Sequence, residues 1–385
     1  MIKYTQSYFN FAFVVIFPLF FVYHVLVAKN YIPPILGGYF TIIVLLNLPF
    51  LIINTMLKSN NNQKNITFIE VLFFMLLIYF FLIAIVNFLF NPIPDNTMML
   101  THSIQGILFM LTCYLLGKHI DIYNDFFKKI IMFSLIMFSL IIFTNLDEYT
   151  MFRLSNATDM SISYQGYARV LSILGFLAMA MVKNIKYSIV IFIIASITLF
   201  FNGARTEFAL FTLAGSMYYI FLKPKLLFPL IVIFLGIASF VVLNESIQQF
   251  ILHNRLFELL LDPENSTSGS ARLSTIILAL QTIQNYPFLG NYGSYVEIGG
   301  LGWYAHSIIS AWVDLGLFGF LLYVFMFFLM FLYLVLYKNK KETMEYRLFF
   351  LFYIFVFIAM LVSKNYSFML FGFLVAFYSR ATHVQ

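Results

Sequence analysis

The 385 residues form a succession of apolar runs, many near the ~20 residues that one helix needs to cross a bilayer, parted mostly by short polar breaks. Backbone surrounded by lipid must satisfy its hydrogen bonds internally, so such runs fold as helices. Reading the runs against the breaks predicts about twelve spans, near 8–27, 35–57, 68–90, 98–117, 129–146, 166–183, 187–202, 206–222, 226–243, 304–336, 348–362 and 366–380. The run from 304 exceeds one crossing, so it tilts or begins outside the bilayer. With 62% hydrophobic and 10% charged residues, a water-soluble core under a solvated surface is excluded. The expected fold is all-α: one polytopic membrane domain, with a transmembrane bundle over 1–243, a large outer loop over 244–303 and C-terminal spans over 304–385.

Basic residues in short loops set the orientation. With cytoplasmic N- and C-termini, fifteen of the 22 basic residues lie inside and seven outside. Lysine follows the positive-inside rule, thirteen against two. Arginine violates it: only Arg347 and Arg380 lie inside, whereas Arg153, Arg169, Arg205, Arg255 and Arg272 lie outside. Topology alone does not sort two cations differently, so the outer arginines are candidates for function.

The first span is about 20 residues long, mostly apolar, and has no small-residue cleavage site, which favours a retained helix over a secretion signal. The single cysteine, Cys113, excludes an intrachain disulfide. The net charge of +6 is mostly lysine on the inner face and suits anionic lipid headgroups better than nucleic acid.

Two outer segments exceed the usual loop length, 147–165 and 244–303. In the second, 246–261 repeats apolar residues at helical spacing until DPENSTSGS interrupts it. A second amphipathic helix is expected to start near Ser270, with Leu273, Ile276, Ile277, Leu280 and Ile283 as an apolar stripe opposite Ser274, Gln281 and Gln284. Such a helix suits the membrane surface. Pro287 ends it, and Gly290, Gly293, Gly299, Gly300 and Gly302 follow, a density that permits close backbone approach to a ligand or makes a flexible loop.

Arg272 falls in the expected first helical turn, where a guanidinium beside free amides makes an anion site; an arginine gripping lipid phosphate is the alternative. Arg205, in the tight turn NGARTE, suits bidentate phosphate or pyrophosphate contacts, with an ion pair to Glu207 as the structural alternative. Arg255 stands three residues before Glu258, so an in-helix pair competes with a binding role. Arg153 carries a weaker case, and snorkelling at a span end explains Arg169. His306, directly after the glycine-rich stretch, can accept a proton from an attacking hydroxyl near neutral pH. His253 and Asp314 are further candidates. The chain has no DxD, HExxH or Cys/His cluster, so neither a metal site nor a cofactor is expected.

The order Arg205, Arg255, Arg272, a P-F-L-G turn, a glycine-rich loop, His306-Ser307 and Gly316-Leu317-Phe318-Gly319 resembles the O-antigen polymerase and ligase superfamily of bacterial envelopes. The motif match covers about fifty residues, from SARLSTII to DLGLFG, and Ser307 stands where Asn commonly follows the histidine in that family. The resemblance implies a GT-C-like, metal-independent glycosyltransferase of the bacterial inner membrane, its site facing the periplasm. Its substrates would be polyprenyl-diphosphate-linked oligosaccharides, as donor and, in a polymerase, as acceptor. A ligase instead transfers to lipid A core. Membrane lipids and a chain-length regulator protein are the other implied partners. On this reading Arg205 and Arg272, with Arg255 as a third, hold the leaving pyrophosphate, Gly290 and Gly293 line the substrate, and His306 acts as base or orients the acceptor. A flippase or transporter for lipid-linked sugars is the competing class. Transporters usually carry ionisable residues at mid-membrane and internal repeats, and neither is evident here.

Overall fold

A computed structural model of the chain describes residues 2–36, 38–59, 66–90, 95–146, 152, 164–222, 267–300 and 303–383. The expected span 226–243, the expected helix 246–261, and Arg153, Arg255 and His253 lie outside them. The described chain is helical throughout, with one isolated antiparallel bridge from Leu146 to Phe152. Among the described residues seven helical segments are long and apolar enough to cross a membrane: Ser7–Ala28, Tyr39–Lys58, Phe68–Phe90, Asn96–His119, Asp125–Phe143, Ile309–Leu336 and Met344–Val362. The protein is a multi-pass helical membrane protein. The first of these segments is interrupted at Phe17, with Pro18 at the start of the second half, where proline's missing N–H is tolerated.

The chain divides into two compact units, one formed by Met1–Ile16, Leu36–Asp121 and Ala271–Gln385, the other by Phe17–Ile35 and Ile122–Ser270. The first contains α1 (Ile2–Ile16), α3 (Tyr39–Ser59), α4 (Phe68–Phe90) and α5 (Asn96–His119). After α10 (Thr267–Asn285), it continues with α11 (Ser294–Gly299), α12 (Ile309–Leu336), α13 (Met344–Val362) and α14 (Leu370–His383). Its core is α14 against α5. Leu370 to Phe377 are all buried, so this part of the helix is apolar on every face. Close approach needs small residues. A Cβ on Gly372 would stand 2.0 Å from the Met110 carbonyl oxygen, so the two backbones touch.

One end of this unit is closed by charge. The fully buried Glu70 carboxylate caps its own helix by accepting from the Thr67 amide at 2.8 Å, and it also accepts from the Tyr114 hydroxyl and pairs with Lys118. Nearby helix ends are tied by Arg380, which donates to the carbonyls of Gly117 (3.2 Å) and Ile120 (2.7 Å) and lies 3.8 Å from Glu345.

The second unit contains α2 (Pro18–Ala28), α6 (Asp125–Phe143), α7 (Tyr164–Met181), α8 (Ile185–Phe201) and α9 (Arg205–Leu222). Its centre is α7, buried at Tyr167, Ala168 and every residue from Val170 to Met181. Phe176 stacks on Phe211 at 4.8 Å. The tight turn before α9 places Asn202 so that its amide donates to the Tyr164 carbonyl at 2.8 Å.

Candidate functional site

The overlong run from 304 resolves into two pieces. Helix begins at Ile309, not at 304, and α12 breaks at Gly316, whose φ of 70° and ψ of −175° are non-helical. The piece beyond the break, Leu317–Leu336, has 20 residues, about 30 Å of helix and one crossing. The seven residues Ile309–Leu315 form a separate half-helix.

Breaking a helix frees backbone groups that must find partners. The P-F-L-G turn supplies them. Leu317 N–H donates to the Phe288 carbonyl (3.0 Å), Asn291 N–H to the Val313 carbonyl (2.6 Å) and Trp312 Nε1–H to the Pro287 carbonyl (2.7 Å). From α4, the Tyr79 hydroxyl donates to the Leu315 carbonyl at 2.8 Å. Glycine is required on both sides of this seam. Gly290 has φ of 72° and its Cβ would stand 2.4 Å from the Val313 oxygen, whereas a Cβ on Gly316 would stand 2.3 Å from the Phe288 oxygen.

Gly290 and Gly293 were expected to line substrate. In the structure the close backbone approach of Gly290 is to α12, and Gly293 stands just before α11. Their amides are also spent internally, Gly290 N–H on the Tyr286 carbonyl (3.1 Å) and Gly293 N–H on the Asp314 carboxylate (2.9 Å). Neither amide is left for a ligand.

Helix α10 begins at Thr267, three residues before the expected start, so Arg272 lies in its second turn and the helix N-terminus is not at the guanidinium. The expected apolar stripe also divides. Ala279 is fully buried in a cluster with Tyr295, Ala305 and Val313, joined by Leu278 and Ile283, while Leu273, Ile277 and Leu280 are exposed. The packing brings α10 beside the stretch that carries His306.

His306 does not open a helix; it stands three residues ahead of α12, half-buried, with its ring 4.5 Å from that of Tyr304. Its Nδ1 is 3.4 Å from the Ser363 carbonyl oxygen, a long contact that favours the tautomer with the proton on Nδ1 and leaves the Nε2 lone pair to accept one. Burial and then the Arg272 cation hold its pKa below the usual 6.5, the Ser363 carbonyl opposes them by less, and the Lys364 cation adds a still smaller lowering. Its neutral form is therefore favoured near neutral pH.

Arg272 thus shares the site with His306. Among the described residues no carboxylate pairs with its side chain. Among the described residues the buried Ser294 and Ser307 hydroxyls have no hydrogen-bond partner. Burial pushes the nearby Tyr292 hydroxyl up to about 12, so it stays protonated and hydrogen-bonded to Ser103.

Arg205 belongs to the other compact unit, where it is the first residue of α9, two positions before the buried Glu207. Arg169 donates from Nε to its own helix, 3.4 Å from the Gln165 carbonyl. Among the described residues no three His, Cys, Asp or Glu side chains group closely enough to hold a metal. The seam between the turn and α12 was missed in the sequence, although the overlong run and the paired P-F-L-G and G-L-F-G motifs were its signal.

No protein-family model matches the chain, and no curated protein matches it. Its chemistry rests on the residues themselves.

Proposed function

We propose that the protein is a metal-independent glycosyltransferase that joins polyprenyl-diphosphate-linked oligosaccharide repeat units into a surface polysaccharide, of the O-antigen polymerase type. The site would face the periplasm from the bacterial inner membrane. The observation that carries this reading is Arg272 beside a half-buried His306 whose neutral form it favours, with no carboxylate among the described residues neutralising the guanidinium. The motif order shared with envelope polymerases and ligases supports it.

The division of labour follows from charge. A departing pyrophosphate gains negative charge as the glycosidic bond forms, and a guanidinium held ready for it stabilises that charge without a metal. The acceptor hydroxyl must lose its proton in the same step. On this reading neutral His306 accepts it at Nε2, or holds the hydroxyl in line.

The test is reconstitution of purified protein with a lipid-linked repeat unit as the sole sugar substrate. Longer lipid-linked oligosaccharide is expected. Transfer to lipid A core without elongation would replace polymerase by ligase, and movement of the lipid-linked sugar across vesicles without a new glycosidic bond would replace enzyme by transporter.

A further inference from the structure

Asp314 has no part in the chemistry just described, yet it is a buried carboxylate, 4% exposed, in the half-helix next to the break. Isolated buried carboxylates are costly, so its hydrogen bonds indicate what it holds. It accepts the Gly293 amide at 2.9 Å from the glycine-rich loop, and it accepts the Tyr366 hydroxyl from the turn between α13 and α14.

Tyr366 is held at three points by one helix. Its hydroxyl goes to Asp314, its N–H donates to Ser310 Oγ at 3.1 Å, and its carbonyl accepts from the Tyr323 hydroxyl. Ser310 and Asp314, four residues apart, share a face of the half-helix. Ser310 in turn donates to the Ser307 carbonyl at 2.7 Å, one residue from His306. Three residues before Tyr366 stands Ser363, whose carbonyl meets His306 Nδ1. The carboxylate therefore joins the start of α11 to the turn 363–369, and that turn contains no regular helix of its own to hold it there.

We propose that Asp314 is a positioning residue, which through Tyr366 sets where the Ser363 carbonyl meets His306 and so fixes the tautomer and direction of the imidazole. This rests on His306 being the working group of the proposed site. The Asp314 carboxylate acts through Tyr366 and not through its own charge at the imidazole. The charges that bear on His306 are those of Arg272 and Lys364.

The decisive measurement is the titration midpoint of His306 in the full-length protein, read by NMR of histidine-labelled samples in nanodiscs, the signal assigned by its loss in His306→Gln. The variants are Asp314→Asn and Tyr366→Phe, with thermal unfolding as the check on folding. Losing the Ser363 contact removes the one influence that raises the midpoint, so both variants should lower it, by about half a pH unit. Tyr366→Phe leaves the carboxylate in place and carries the test should Asp314→Asn fail to fold. An unchanged midpoint in folded Tyr366→Phe overturns the proposal, including the case in which Asp314→Asn alone shifts, since that would be an effect of charge. The readout needs no turnover, so a protein that proves not to be a transferase leaves this result interpretable.

Discussion

Gly290 and Gly316 face each other across the seam between the P-F-L-G turn and the broken helix: a Cβ on Gly290 would stand 2.8 Å from the Gly316 nitrogen. Both have positive φ, 72° and 70°, where an L side chain is strained whatever space is available. Gly290→Ala and Gly316→Ala should each cost at least about 2 kcal/mol, the left-handed conformation contributing ~1–2 and steric displacement the remainder. Unfolding midpoints in detergent, compared with wild type, measure this. Wild-type midpoints in both would contradict the seam.

A second expectation concerns pH. His306 titrates below 6.5 in the folded protein, so between that lowered value and 6.5 the unfolded chain binds more protons than the folded one. Stability from this group is therefore complete above 6.5 and declines as pH falls through the window. Turnover that needs the neutral imidazole should hold down to the same region and drop below it. A pH–rate profile for wild type, with the acid limb absent in whatever activity His306→Gln retains, checks the assignment. An acid limb centred above 6.5 would exclude His306 as its source.

Arg272→Ala removes a cation that the proposed leaving group needs, and loss of one such preorganised group typically reduces kcat by about 100-fold or more. Arg272→Lys keeps charge but not the bidentate fork, so it should recover only part of the rate. The His306 midpoint should also rise in Arg272→Ala, because a lowering charge is gone. Full activity in Arg272→Ala, with the protein folded, would remove this residue from the site.

At the charged end of the same unit, Lys118→Ala leaves the fully buried Glu70 without its cation. Breaking a buried pair from one side costs about 3 kcal/mol. Glu70→Gln together with Lys118→Ala should recover much of it, since the uncompensated charge is then absent. A double-mutant cycle by chemical unfolding gives the coupling, and additive losses would show that the pair contributes nothing.

Much of the helical layout was legible because a membrane-spanning helix has to declare itself in length and apolarity; the run 68–90 and α4 coincide. Boundaries governed by capping were less so. Before Arg272, Ser266, Thr267, Ser268 and Ser270 all cap helices well, and nothing local distinguishes the start at Thr267 from one near Ser270. Arg272 and His306 were recognisable singly from their residue types and setting. Their placement in one site was implied by the resemblance; the contact that brings their segments together was not legible, because it is Ala279 packing with Ala305 and Val313, between segments with no periodicity in common. At Gly290 the sequence shows that backbone can come close, and only the fold shows that it comes close to α12.

The break at Gly316 also resets the helical phase. Leu315 and Gly319 would stack one turn apart in a continuous helix, yet a Cβ on Gly319 would fall 2.4 Å from that of Leu315, so the two pieces of α12 do not share one wheel. Any face drawn through 309–336 by counting residues is wrong on one side of the break. The lipid-facing rows of this helix have to be numbered from Leu317, and the seven residues before the break belong to the loop they hold.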